Sequence, residues 1–272
     1  MKRTVLTHVY NEEYLLPFWI DHHRRVFDHG VVVDWNSSDH SVEIVKEMAP
    51  EWEIVTSEHQ EFDAGNCDLE MAKLESKIPE GEWKITLNAT EFIVGDFDKI
   101  LPDLKEPTSH WLPCYSMVDE RRFAGTYPDP NELLIEQRHF GIDGRKITSP
   151  LGSGGLEVSQ AAYRRFRSIH NNDIVYPLGR HFDPGHERLA DQLFVLWYGY
   201  SPWNETIIKR KTQIKDKIPA NNTALDLGFQ HLYTEEKLDS NHLMLLEHHL
   251  EDGVFACQDL SPVIQKHIHY FK

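Results

Sequence analysis

Short apolar runs alternate with amphipathic segments over roughly the first hundred residues of the chain. The apolar runs are rich in β-branched residues, which is typical of buried strands, and cover residues 3–10, 31–33, 52–56 and 83–94. The segments between them have the apolar spacing of helices and cover residues 11–27, 41–49 and 68–76. Alternating strands and helices form a parallel sheet covered by helices. The pattern therefore predicts an α/β fold with a mostly parallel central sheet.

The pattern is less regular in the rest of the chain. Residues 104–153 are rich in Pro, Gly and aromatic residues, which predicts loops with short strands at 110–118 and 145–150. We expect a short helix at 159–168 and a long helical region that begins near residue 189 or 202. The predicted organisation is an α/β domain over residues 1–200 and a C-terminal helical extension over 201–272, packed on that domain.

Composition narrows the classes of function. The chain has 272 residues and a formal net charge of −16, so a nucleic-acid surface is not expected, because such surfaces are basic. Cys67, Cys114 and Cys257 are widely spaced and odd in number, which favours a reducing compartment over a disulfide framework. The N-terminus lacks the apolar run of a signal peptide, and no segment has the apolar length of a membrane span. These features predict a cytoplasmic protein.

Three polar segments follow predicted strands. They are YNEE at residues 10–13, DWNSSD at 34–39 and NATEF at 88–92. Ligands of open α/β sheets bind outside the carboxyl ends of the strands. We therefore expect these segments to meet at one edge of the sheet, where they would form the functional site.

The order of these elements resembles the GT-A glycosyltransferases, in particular the family 2-like group. The matching stretches are THVYNEEYLLPFWIDHH, VVVDWNSSDHSVEIV and WKITLNATEFIVGDF, and the resemblance extends over residues 4–97. A weaker match, LWYGYSPWNETIIKRK, lies at residues 196–211. The resemblance implies a GT-A fold and an inverting transfer of sugar from a UDP- or GDP-linked donor to a carbohydrate or other hydroxyl acceptor.

The first two motifs supply the expected nucleotide site. Asp34, at the end of a strand, is a charged acceptor suited to ribose hydroxyls or a base N–H group. The resemblance extends the nucleotide-binding set to the neighbouring strand ends: His8, Asn11, Glu13, Asp34, Asn36 and Asp39.

The third motif departs from the family pattern. In the family, the two acids of a DxD motif hold Mn²⁺ or Mg²⁺, which binds the donor diphosphate. Here Asn88 and Thr90 stand in their place, and only Glu91 and Phe92 of the pattern remain. Neutral Asn and Thr oxygens remove two formal charges from such a metal site. His181 is a further candidate metal ligand.

The sequence leaves open three consequences of having Asn88 and Thr90 in place of the two acids. A metal could still bind through Glu91, the diphosphate and a His. Basic side chains could replace the metal, or the domain could bind its ligand without turnover. The candidate basic residues are Arg180, Lys209, Arg210 and Lys211.

The acceptor hydroxyl of an inverting enzyme needs a carboxylate base within hydrogen-bond reach. Asp191 and Asp183 are the preferred candidates, with Glu187 and Glu157 also considered. Two other functions compete with transfer: a non-catalytic sugar- or nucleotide-binding module of a glycan-assembly pathway, and a His/carboxylate metallohydrolase. The chain has 17 His, but adjacent His residues on a helix point to different faces, so we expect His22 and His23 to lie on the surface.

Overall fold

The computed structural model describes residues 1–104, 109–143, 166–176, 178–180, 187–188, 192–220, 222, 231–249 and 253–272. Within these ranges, the strands all join one sheet. They are β1 (Arg3–Val9), β2 (His29–Asp34), β3 (Glu53–Thr56), β4 (Trp83–Thr86), β5 (Glu91–Gly95), β6 (Ser109–Val118), β7 (Phe140–Asp143), β8 (Phe166–His170), β9 (Glu187–Arg188), β10 (Leu193–Tyr200) and β11 (Cys257–Asp259).

The first four strands form the parallel part of the sheet. They lie in the order β3-β2-β1-β4, and each neighbouring pair is parallel. Asp34 pairs in register with Val9 of β1 and with Thr56 of β3, so these strands end at the same edge. The α/β class and the parallel arrangement predicted from the alternation are confirmed.

Beyond β4 the sheet is mixed. β8 lies antiparallel between β4 and the first half of β6. The second half of β6 pairs with β10 in parallel and with β7 in the opposite direction. β5 completes this part by pairing antiparallel with β10.

The described helices flank the sheet and several begin at capping side chains. The Asp63 carboxylate accepts a hydrogen bond from the Asn66 N–H at 2.9 Å, and Asn204 and Thr234 cap later helices in the same way. The helices are α1 (Leu16–His23), α2 (Ser41–Met48), α3 (Ala64–Glu75), α4 (Phe97–Ile100), α5 (Leu134–Gln137), α6 (Glu205–Thr212), α7 (Glu235–Glu247) and α8 (Ser261–Gln265).

Several predicted elements are wrong in detail. The polar step at 87–90 divides the predicted fourth strand into β4 and β5, which pair with different neighbours. Phe166–His170 is a strand, although a helix was predicted to extend to residue 168. Leu193–Tyr200 is also a strand, because its apolar residues are buried in the sheet between β5 and β6. The C-terminal region adds β11 to the sheet besides its helices, and the boundary near residue 200 stays a prediction.

Helix α1 begins later than predicted and buries its histidines. Its first turn contains Pro17, which suits that position because the first N–H groups of a helix lack helical partners. His22 and His23 are buried, so the prediction that they lie on the surface is wrong. His22 Nε2 is 2.8 Å from the Ile93 carbonyl oxygen, and burial lowers the pKa of His22 to about 4. The neutral ring therefore donates to β5.

The same helix anchors β5 through Trp19. The indole Nε1 of Trp19 donates to the Glu91 carbonyl at 2.9 Å, and the ring lies edge-on to Trp52. These contacts hold the start of β5 against α1.

Across the described ranges, no helix combines the length and the apolar character that a membrane crossing requires.

We predict that Gly30→Ala destabilises the protein by roughly 1–3 kcal/mol, because a Cβ at this position would lie 2.2 Å from Cδ2 of Trp52. Chemical denaturation measures the free energy of unfolding. The matched test introduces Gly30→Ala into a Trp52→Leu background, where the smaller side chain relieves the clash and the cost should shrink. An equal cost in both backgrounds would contradict this explanation.

Candidate functional site

The carboxyl ends of β1, β2, β3 and β4 lie side by side at one edge of the sheet because these strands are parallel. The segments that follow them cover residues 10–15, 35–40, 57–63 and 87–90. We call this region the strand-end edge.

The loops after β1 and β2 are joined by hydrogen bonds. The Asn11 N–H donates to Ser37 Oγ at 3.0 Å, and Asn11 Oδ1 accepts from the Ser38 N–H at 2.8 Å. Asn11 and Asn36 have φ values of 53° and 55°, in the left-handed region that Asn adopts more readily than most residues. The polar residues therefore shape both loops as well as lining the edge.

Glu13 and Asp39 strengthen this connection. Asp39 Oδ2 accepts from the Glu13 N–H at 3.0 Å, and Glu13 Oε2 accepts from the His40 N–H at 3.1 Å. His40 Nδ1 lies 2.8 Å from the same oxygen, and this hydrogen bond raises the pKa of His40. Glu13 and Asp39 thus have structural partners at the edge where they were predicted to bind nucleotide.

Asp34 is buried at the end of β2 and keeps one carboxylate oxygen available. Its Oδ1 accepts from the Ser37 N–H at 3.1 Å. No described residue donates a hydrogen bond to Oδ2. A ligand hydroxyl or N–H group could therefore bind this oxygen.

A second network joins β1 to α3. His8 Nε2 is 3.2 Å from Glu70 Oε2, and the same oxygen accepts from Ser57 Oγ at 2.8 Å. Burial lowers the pKa of His8, so the ring is neutral near pH 7. Burial alone would raise the pKa of Glu70, but hydrogen bonds from His8, the Glu58 N–H and Ser57 outweigh it and hold that pKa at about 2.

The C-terminal segment closes one side of the edge. Arg210 of α6 forms a two-point ion pair with buried Glu12. Gln213 Nε2 donates to the Tyr10 carbonyl at 2.7 Å, and Lys217 Nζ lies 3.8 Å from the centroid of the Tyr10 ring. These contacts attach α6 and the turn after it to the loop after β1.

The other two predicted basic residues of α6 lie differently. Lys211 Nζ is 4.1 Å from the centroid of the Tyr200 ring, and Lys209 is exposed. The structure therefore separates Lys209, Arg210 and Lys211 instead of presenting them as one cationic cluster.

The step between β4 and β5 is built around Glu91. Its fully buried carboxylate accepts two hydrogen bonds from Arg167, from Nε at 2.6 Å and from Nη2 at 2.7 Å. Glu91 Oε2 also accepts from the Asn88 N–H at 2.8 Å. Thr90 is buried, and its carbonyl accepts from the Tyr198 N–H at 2.7 Å.

Arg180 lies beside this step. Its Nη1 donates to Asp68 Oδ1 at 2.9 Å, and its Nη2 donates to Asn88 Oδ1 at 3.2 Å. Asp68 Oδ2 accepts from the Gly179 N–H at 2.6 Å. Two arginines thus contact the NATEF segment, Arg167 at Glu91 and Arg180 at Asn88.

A divalent metal does not fit the described residues at this step. Both oxygens of Glu91 already accept from Arg167, and Asn88 Oδ1 accepts from Arg180. Two guanidinium groups would also repel a cation. Within the described ranges, no three His, Cys, Asp or Glu side chains gather where they could hold a metal ion.

Some site residues were missed by sequence reasoning, and others lie outside the described residues. The missed ones are Asp68, Glu70 and Arg167. A signal existed for Arg167, a charged residue in a short segment that also holds the apolar Phe166 and Ile169. Asp68 and Glu70 flank Leu69, which is exposed, so their segment gave no such signal. Of the predicted residues, His181, Asp183 and Asp191 lie outside the described residues.

No family model and no curated protein sequence matches the chain. Among solved structures, a mannosyltransferase from Pyrobaculum calidifontis in complex with GDP-Man and Mn²⁺ is similar at 14% identity and a TM-score of 0.41, over 90% of this chain and 70% of that one. S. aureus TarS residues 1–349 in complex with UDP has 19% identity and a TM-score of 0.37, over 65% of this chain and 50% of that one.

A further structure of S. aureus TarS has 20% identity and a TM-score of 0.30, over 44% of this chain. The chain spans only 22% of the length of that protein. Structural similarities at these sequence identities and TM-scores do not assign an activity to this chain. Its activity is therefore inferred from its own contacts.

We predict that Glu91→Gln destabilises the protein by roughly 3–5 kcal/mol, because it leaves the buried Arg167 guanidinium without its carboxylate. Chemical denaturation measures the loss. The double variant Glu91→Leu/Arg167→Met should recover much of it, since it removes both charges. Glu82→Gln is the control, because the ion pair of Glu82 with Lys2, at 4.0 Å, lies at the surface and contributes little. Equal effects of Glu91→Gln and Glu82→Gln would contradict the prediction.

The Glu70 network predicts a pH dependence of stability. The folded-state pKa of about 2 lies below the ordinary 4.5, so Glu70 stabilises the fold above pH 4.5 and loses this effect as the pH falls toward 2. The stability difference between wild type and Glu70→Gln should therefore shrink below pH 4.5, as measured by urea denaturation between pH 6 and pH 3. Glu80→Gln, at an exposed carboxylate, is the control, and an equal pH dependence of the two variants would contradict the prediction.

Proposed function

We propose that this protein is a glycosyltransferase that uses a nucleotide-diphosphate sugar, UDP- or GDP-linked, and transfers the sugar to a hydroxyl of a carbohydrate or other acceptor. The observation that carries the proposal is the convergence of three polar strand ends at one edge of a parallel sheet, the edge where ligands of such sheets bind. Each of these strand ends also carries a motif that resembles the GT-A group.

The loop after β2 suits a nucleoside. Asp34 is buried, is oriented by the Ser37 N–H, and retains an oxygen to which no described residue donates. A carboxylate of this kind accepts hydrogen bonds from ribose hydroxyls, and an ionised acceptor strengthens them. Asn11 and Asn36 shape the surrounding loops, while His8 lies one strand away.

Transfer requires a base as well as a donor site. The acceptor oxygen attacks the anomeric carbon as the bond to the nucleoside diphosphate breaks, and a carboxylate takes the proton of the acceptor hydroxyl. One such displacement inverts the anomeric centre. Asp191 and Asp183 are the proposed bases on sequence grounds.

A binding module without turnover is the second candidate. It is favoured by the neutral residues Asn88 and Thr90 and by the complete pairing of the Glu91 carboxylate with Arg167. Such a module would bind the same nucleotide diphosphates. Release of nucleoside diphosphate from a UDP- or GDP-sugar in the presence of acceptor, abolished by Asp34→Ala, would exclude it.

We predict that Asp34→Ala weakens nucleotide binding at least about tenfold, or about 1.4 kcal/mol, because it removes a charged hydrogen-bond acceptor. Isothermal titration of UDP, GDP and dTDP, each with Mn²⁺ and with EDTA, measures the dissociation constants. Asp103→Ala is the matched control, since Asp103 is exposed and lies outside the strand-end segments. Absence of binding by all three nucleotides in both conditions would refute the proposed function.

A further inference from the structure

Arg180 has unused hydrogen-bonding capacity in a buried position. A guanidinium group has five N–H donors, and described partners take two of those of Arg180, through Asp68 and Asn88. Its Nε is buried and has no hydrogen-bond partner. Buried donors are almost always satisfied in folded proteins, so this N–H group is a donor that a ligand could use.

The exchange of Asp for Asn changes the charge around Arg180. Asp68 is the one carboxylate within ion-pair distance of Arg180 among the described residues. Asn88 contacts the same guanidinium with a neutral oxygen. An Asp at position 88 would place a second negative charge on Arg180 and oppose an anionic ligand. Asn88 therefore lacks the charge that a metal ligand would supply, and for the same reason it does not neutralise the positive charge of Arg180.

Arg180 is also held firmly. Its backbone φ is 55° and that of Gly179 is 78°, and both carbonyls accept from Nη1 of Arg167, at 2.9 Å and 3.0 Å. Asp68 fixes the segment from the other side through the Gly179 N–H. The buried Arg167–Glu91 pair thus supports the backbone that carries Arg180.

We propose that Arg180 binds the diphosphate of the donor directly and takes the place of the divalent metal ion, with Asn88, Asp68 and Arg167 as positioning residues. This inference rests on the proposed function and specifies how its site meets the anionic part of the donor. A planar guanidinium binds phosphate oxygens through paired, charge-assisted hydrogen bonds. As the nucleoside diphosphate departs, its developing negative charge is stabilised by a positive group that is already in place.

Calorimetric titration of UDP and GDP, together with uridine and guanosine, tests the inference. Wild type should bind the better diphosphate in EDTA with a dissociation constant within about threefold of its value in Mn²⁺. Arg180→Met should weaken diphosphate binding at least about tenfold and leave nucleoside binding within about twofold. Arg24→Met is the matched control, because the ion pair of Arg24 with Glu51, at 3.8 Å, lies at the surface.

A second variant tests the role of Arg180 while the arginine itself is retained. Asn88→Asp should weaken diphosphate binding in EDTA, because its new charge competes for Arg180. Circular dichroism and thermal melting establish that each variant is folded.

The outcomes separate the two proposals. Binding of diphosphate that disappears in EDTA overturns the role of Arg180 and leaves the proposed function standing. An equal loss of nucleoside and diphosphate binding in Arg180→Met assigns Arg180 a structural role and also overturns the inference. Failure of every nucleotide to bind wild type in either condition refutes the proposed function itself.

Discussion

The buried ion pair between Glu91 and Arg167 connects the parts of the molecule that make the candidate site. Glu91 begins β5 and Arg167 lies in β8, and both side chains are almost completely removed from solvent. Removing either charge alone would leave the other buried without its counterion, which is costly. The pair also gives Arg167 the orientation from which its Nη1 reaches the backbone of residues 179 and 180.

Because the Glu91–Arg167 pair places arginines at one end of the strand-end edge, this edge has two chemically different parts. Around Asp34 and Asn11, neutral and acidic side chains bond to backbone N–H groups and shape the loops. Around Asn88, the charged groups are arginines whose partners are carboxylates. The chain as a whole has a net charge of −16, so a site for an anion depends on local groups such as the Arg180 guanidinium, whose Nε has no hydrogen-bond partner.

The C-terminal region contributes to the same edge from the opposite side. Arg210 pairs with Glu12, and Gln213 donates to the Tyr10 carbonyl. Because these contacts join residues about two hundred positions apart, the loop after β1 depends on the complete fold for its conformation. A variant of α6 could therefore alter ligand binding without touching the ligand.

The sequence by itself determined the α/β class, the four parallel strands and the position of the polar strand ends, because these follow from local periodicity and from turn-forming residues. It could not reveal that His22 and His23 are buried, since their partners in β5 lie about seventy residues away. It also left Leu193–Tyr200 open, because the helical region was predicted to begin near residue 189 or 202 and an apolar run suits either a helix or a strand until its neighbours are known. Only the tertiary structure decided how the NATEF segment is used. Glu91 looked like a surviving metal ligand in sequence, whereas the fold brings Arg167 to it from more than seventy residues away and satisfies its oxygens with guanidinium N–H groups. Arg180 approaches the same segment from as far along the chain and donates to Asn88.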